Sequence, residues 1–288
     1  MVEEKVCEDW LDLHKQLYND SWNNELHRYR SKFAFRGLAN TEHNLDTTLQ
    51  RMGGPFDELE THLIRNFSKY AHEHVAATSP GLVFSPGGNS MWNWLVLARH
   101  HGLPTRLLDW TYSPYVALHF ATENMHSQHR PVDSVIWCVN YQKTHELLPG
   151  WLKKILETES SDVFTIDMLA KAAQDLREFD KKARENKLSG ESSDFVIFFE
   201  PPSLDSRVVN QFALHSMMSS STAILDHWLE KHPGVCHKLI IPAKIKWEVR
   251  DKLDQANINE RMLYPGLDGL SQWLRRHYSP RTDPTAGT

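Results

Sequence analysis

The sequence predicts a mixed α+β fold in one large domain, and three observations carry that reading. Short β-branched and aromatic runs recur along the chain. Segments with apolar residues at helical spacing lie between them. No internal repeat and no Pro/Gly-rich linker divides the 288 residues into halves.

Taken in order, Val6, Trp10, Leu13 and Leu17 share one face of a helix expected over 5–18. KFAFRGL (32–38) reads as a strand. Leu59, Leu63, Phe67 and Tyr70 mark a second helix over 57–75, and the Gly/Pro/Ser-rich 79–90 a loop. Ser90 caps a helix running to His101, with Gly102 and Pro104 as its stop signals. TRLLDW (105–110) is a strand candidate. Ser113-Pro114 is an N-cap followed by proline at N1, opening a helix through Ala121. SVIWCVNY (134–141), DFVIFF (194–199) and KLIIPA (238–243) are further strands. A charged helical stretch over 163–187, within an insertion of about 145–190, is expected on the surface. Helices near 244–256 and 268–278 close the chain before a tail at 279–288 expected to be disordered.

Composition narrows the function classes. The chain is 40% hydrophobic and 24% charged, with a net charge of −5, so wholesale electrostatic capture of nucleic acid is not indicated. Cys7, Cys138 and Cys236 lie far apart with no CxxC spacing. MVEEKVCEDW is acidic and charge-broken, unlike a signal peptide, and no run reaches membrane-span length. The expected location is the cytoplasm. No GxGxxG or P-loop sequence occurs. His72 and His74 are two apart and point away from each other on a helix, so catalytic metal is not expected.

Two stretches carry chemistry. In Phe33–Leu38, alternation puts Phe33, Phe35 and Gly37 on one face and Ala34, Arg36 and Leu38 on the other. Arg36 could grip a phosphate or carboxylate with two parallel hydrogen bonds, and Gly37 would let a ligand approach the backbone. The alternative is an arginine paired with a surface carboxylate. The second stretch packs His100, His101, Arg106, Asp109, Trp110, Thr111 and Ser113 into fourteen residues, before a helix whose first N–H groups suit an anion. Here Ser113 as a simple cap, and Asp109 as the counter-ion of Arg106, remain open. Arg207 and Gln211 are four apart and share a face if Ser203 or Asp205 caps a helical turn.

FRG at 35–37 and HHGLPTRLLDWTYSPYVALHFA at 100–121 resemble the FRG domain family. SRVVNQFAL (206–214) and MLYPGLDGLSQWL (262–274) extend the resemblance over about 30–278, after an N-terminal helical extension at 1–29. The resemblance implies kinship with the ADP-ribosyltransferases: a split β-sandwich core with helical insertions and terminal helices, NAD as substrate, and nucleic acid or protein as acceptor. By that pattern Arg36 takes the first site position and Thr111 or Ser113 the second. Gln211 stands where a glutamate is usual, which leaves Asp109 or Glu200 to supply the acid. Gly37, His101, Arg106, Ser113 and Arg207 would help hold the nucleotide. The implied setting is a toxin or anti-phage effector, with a regulatory or inhibitor protein as a possible partner. The competing expectation is a non-catalytic module that binds NAD, ADP-ribose or nucleic acid.

Overall fold

The computed structural model describes residues 2–78, 90–123, 132–188, 194–203 and 205–280. The expected loop at 79–90 falls outside these apart from Ser90, and the expected tail lies outside them from residue 281 on. The fold is mixed α+β, a large mixed sheet flanked by many helices. In chain order the sheet strands are β1 (Glu3–Val6), β4 (Phe33–Leu38), β5 (Leu108–Thr111), β6 (Ser134–Asn140), β7 (Phe164–Thr165), β8 (Val196–Glu200), β9 (Ala213–Met218) and β10 (Cys236–Ile241). A separate two-stranded ribbon pairs β2 (Trp22–Asn23) with β3 (Arg28–Tyr29). The helices are α1 (Trp10–Leu17), α2 (Thr48–Met52), α3 (Phe56–Thr78), α4 (Met91–His100), α5 (Pro114–Ala121), α6 (Tyr141–His145), α7 (Gly150–Glu159), α8 (Ile166–Ala172), α9 (Leu176–Leu188), α10 (Ser206–Asn210), α11 (Leu225–Lys231), α12 (Lys246–Gln255), α13 (Glu260–Leu263) and α14 (Leu267–His277).

The sheet order is β1-β10-β6-β4-β5-β9-β8-β7. β1 and β7 pair parallel with their neighbours, and all other pairs are antiparallel. Its middle is thin. β4 pairs with β6 all the way from Phe33 to Leu38, and β5 pairs with β9 from Leu108 to Thr111. Between β4 and β5 the register holds only Phe35 opposite Thr111. Two four-stranded halves therefore meet at a one-residue seam.

Side-chain alternation makes the two faces unequal. On one face, Ala34, Leu108, Trp110, Trp137, Phe198 and Leu214 form a single apolar cluster that crosses the seam and is capped by α11. On the other face the core is divided. Phe33, Phe35, Ile136 and Leu239 pack under α1, α5 and α12, while Ile197, Phe199 and Met217 pack under α3, α4 and α7 to α9. β5 turns Asp109 and Thr111 toward this divided face, so the sequence Leu-Asp-Trp-Thr closes one side of the seam with apolar bulk and leaves polar groups on the other.

α5 leaves β5 directly and folds back over β4. Ser113 caps it, its Oγ accepting from the Val116 N–H at 3.3 Å, and Pro114 takes the first helical position. Gly37 is what lets the helix settle. A Cβ on Gly37 would stand 1.9 Å from the Ala117 carbonyl oxygen and 2.6 Å from the Ala121 nitrogen. The close approach expected of a ligand at Gly37 is thus made by the α5 backbone.

Two expected elements differ. The first helix starts only at Trp10, capped by the Asp9 carboxylate, because Glu3–Val6 is taken as an edge strand by β10. The charged stretch at 163–187 is two helices, α8 and α9, separated where Ala173 takes extended backbone. It is not surface decoration: Phe164, Leu169 and Phe179 are fully buried in the main core, and the Trp92 indole donates to the Ala173 carbonyl at 2.8 Å.

Gly37→Ala sets backbone against backbone, where no side chain can rotate away. We expect it to cost at least about 3 kcal/mol, whereas Gly150→Ala, with open space around its Cβ position, leaves the denaturation midpoint nearly unchanged. Urea unfolding of the two variants makes the comparison.

Candidate functional site at the seam

Beyond the Phe35–Thr111 pair the two strands separate, and the Arg36 guanidinium bridges the gap. Its Nη1 donates to the Asp109 carbonyl oxygen. Its Nε is buried and has no hydrogen-bond partner among the described residues. Burial lowers the Arg36 pKa to about 10, with Arg99 and Arg51 acting in the same direction and Asp109 and Asp226 opposing them. Arg36 therefore stays charged at neutral pH.

The Asp109 side chain points to the divided face. Its carboxylate receives both Arg99 Nε, at 3.1 Å, and Arg99 Nη2. Arg99 in turn donates through Nη1 to the Thr48 hydroxyl at 2.9 Å. His215 Nδ1, on the neighbouring β9, stands 3.4 Å from Asp109 Oδ1 but is misaligned for a hydrogen bond. Burial would raise the Asp109 pKa; contacts from His215 and Arg99 outweigh it and hold the carboxyl well below its usual range. Although β5 is a central strand, the Asp109 side chain is 48% exposed.

The other expected site residues have specific places. The Thr111 hydroxyl donates to the Gln211 carbonyl at 2.7 Å and accepts from the Ser113 N–H at 3.0 Å. The Gln211 side chain donates to the Leu263 carbonyl at 2.9 Å. Arg207 is exposed and stacks on the Tyr264 ring at 5.2 Å, so the 206–211 turn, capped by Asp205, docks on the closing motif rather than on Asp109. Glu200 accepts from the Tyr112 hydroxyl at 2.9 Å at the end of β8. His101 caps α4; burial, followed by neighbouring His100, lowers its pKa. His100 itself meets Asp205 at 2.8 Å. The structure thus brings Arg36, Gly37, Asp109, Thr111 and Ser113 to the seam, with Gln211 touching Thr111 through its backbone.

Arg106 is elsewhere. It is buried and held by Glu60 Oε2 at 2.5 Å and by both Asp180 oxygens at 2.6 and 3.0 Å. Its side-chain donors are engaged by those two carboxylates, and it does not pair with Asp109. Asp180, expected on a solvated helix face, is its buried partner. Arg99 and His215 are the site members that sequence reasoning passed over. Alternation along β9 from Ala213 does place His215 on the Asp109 face, which is the one signal available.

A second polar network holds the closing segment. Arg250 Nη1 donates to His119 Nδ1 at 2.9 Å and Nη2 to Glu260, while Arg276 joins Glu260 at 2.7 Å and Asp254 at 2.6 Å. A guanidinium donating to Nδ1 requires a neutral imidazole. Burial, with help from Arg250, depresses the His119 pKa to about 3. Gly269 lets α14 meet this network: a Cβ there would lie 1.9 Å from the Tyr264 carbonyl.

Comparison with known families bears on the same segments. Residues 31–130 match the family model of the FRG domain. The chain carries an FRG domain. The matched span holds both the Phe35-Arg36-Gly37 motif and the 100–121 motif, so the seam is built within the FRG domain, with β6 and β9 flanking it from later in the chain. Neither curated proteins nor solved structures gave a match. Among the described residues no helix is long and apolar enough to cross a membrane.

His119 and His145 supply a pH test. His145 Nε2 accepts from the Phe198 N–H at 2.9 Å and Nδ1 meets the Asp162 carbonyl at 2.8 Å, and burial depresses its pKa to about 4. Both histidines are neutral when folded and bind a proton on unfolding below pH about 6.5. Their contribution is complete above that pH and is lost as pH falls toward 4, with a slope of about 1.4 kcal/mol per pH unit each. Unfolding free energy should drop by up to about 4 kcal/mol from pH 7 to pH 5; a flat profile by urea titration would contradict the buried neutral pair.

Proposed function

We propose that the FRG domain seam binds NAD and cleaves its nicotinamide–ribose bond, passing ADP-ribose to a nucleic-acid or protein acceptor or to water. One observation supports this most: an ionised, half-exposed Asp109 lies across one strand from a guanidinium that has no carboxylate partner among the described residues. Arg36, with Arg99 and Arg51 nearby, suits the pyrophosphate as an uncompensated positive charge. As the C–N bond breaks, neutral nicotinamide leaves and positive charge grows on the ribose, as in glycoside cleavage. The acceptor oxygen or nitrogen then bonds to the anomeric carbon and its proton passes to solvent.

Asp109 supplies the negative charge that Gln211 cannot. At about 4 Å and an effective dielectric near 20, a carboxylate is worth about 4 kcal/mol to that transition state, roughly a thousandfold in rate. The two half-sheets joined at one pair are also what a split β-sandwich, the core implied by kinship with ADP-ribosyltransferases, would require. NAD consumption of this kind fits a toxin or an effector of defence against phage, held in check by a regulatory protein.

A second reading has its own support. The Thr111 hydroxyl and the Gln211 amide are spent on internal hydrogen bonds, as expected of a module that binds NAD, ADP-ribose or a nucleic-acid end without cleaving it. Nicotinamide release and calorimetry separate the two. On the catalytic reading Asp109→Asn lowers release about a thousandfold and leaves NAD affinity within a few-fold, while Arg36→Lys weakens NAD binding. Binding by the wild type without release selects the module. Turnover by Asp109→Asn at the wild-type rate excludes Asp109 as the acid.

A further inference from the structure

Phe212 stands at the position just past the end of α10, where a left-handed backbone is required and glycine or asparagine is the usual choice. Its φ is +47°, a conformation that a bulky aromatic residue rarely takes. The residue is also 61% exposed. A single exposed apolar side chain is ordinary, but one held in a disfavoured backbone with its ring in solvent contributes nothing evident to the fold.

The surrounding hydrogen bonds are what impose it. The Tyr112 N–H donates to the Phe212 carbonyl at 3.1 Å, and the Phe212 N–H donates to the Val209 carbonyl at 3.1 Å. The residue before it is pinned by the Thr111 hydroxyl on its carbonyl and by its own amide on Leu263. Asn210 adds a bond to the Met262 carbonyl at 2.7 Å. Two motif residues, Thr111 and Gln211, therefore spend their polar groups fixing the backbone turn that carries one exposed aromatic residue. Strain maintained by converging contacts marks places where geometry serves a ligand.

We propose that Phe212 is a stacking platform for a nucleobase at the edge of the seam. Tyr112, which follows β5 and donates its N–H to Phe212, is three residues from Asp109, at most about 10 Å of chain, a distance of nucleotide dimensions. The same turn carries the Arg207 guanidinium over the Tyr264 ring, and His100 and His101 lie close to Asp205 and Arg207. Base stacking on such a ring is tolerant of sequence. The ring would belong either to the dinucleotide or to a single-stranded acceptor. This deepens the reading proposed for the same site and rests on it for the ligand class.

The test uses Phe212→Gly and Phe212→Trp in the full chain, with calorimetry against NAD and anisotropy with a short fluorescent single-stranded oligonucleotide. Glycine suits the backbone, so Phe212→Gly should melt at or above the wild-type temperature while binding at least one of the two probes about tenfold more weakly. Phe212→Trp should retain affinity. A loss confined to the oligonucleotide assigns the platform to the acceptor strand; a loss confined to NAD assigns it to a ring of the dinucleotide. Wild-type affinity of Phe212→Gly for both probes overturns the platform and leaves the NAD reading standing. Failure of the wild type to bind either probe removes both.

Discussion

The hydrogen bond from the Arg36 guanidinium to the Asp109 carbonyl is the constraint around which the molecule is arranged. A sheet normally joins its strands by a repeating ladder of backbone bonds. Here the ladder between β4 and β5 is reduced to the Phe35–Thr111 pair, and a side chain takes over where the backbone stops. One residue thereby has two tasks. It ties two four-stranded halves together, and it brings a positive charge to the seam between them.

The FRG motif can be read residue by residue from this arrangement. Phe35 faces the α5 side and fills the core under it; Arg36 bridges; Gly37 admits the α5 backbone at a distance that no side chain would allow. The second motif supplies the partner surfaces. Asp109 offers its carbonyl to Arg36 and its carboxylate to Arg99, Trp110 seals the opposite face and donates to Ser216 at 2.8 Å, and Thr111 and Ser113 turn the chain into α5. Neither motif is intelligible alone, because each fills space that the other leaves.

Much of this was legible in the sequence, for local reasons. Alternation described β4, continuous β-branched and aromatic runs located β6 and β8, and Ser90 and Ser113-Pro114 marked two helix starts through cap chemistry that needs no tertiary partner. What failed was long-range. Arg106 and Asp109 are neighbours in sequence, yet Arg106 is paired with Glu60 and Asp180, 46 and 74 residues away. The α8–α9 stretch reads as charged because its buried side is carried by few residues, Phe179 among them, and periodicity says nothing of what another helix will cover. His215 lay hidden for the same reason: its meaning comes from β9 lying beside β5.

The buried and half-buried guanidinium groups make the functional case by contrast. Arg106 meets two carboxylates, Arg276 meets two, and Arg250 meets one together with an imidazole and a carbonyl. Arg36 meets a carbonyl alone and has no carboxylate oxygen within ion-pair distance among the described residues. Taking a charge out of water without a counter-ion costs several kcal/mol, and the depressed Arg36 pKa registers that cost. Asp109, the acid best placed to neutralise it, is turned to the other face and engaged by Arg99. The fold thus keeps an acid and an uncompensated base apart across one strand, and an anionic ligand entering the seam would supply the counter-charge that the protein withholds.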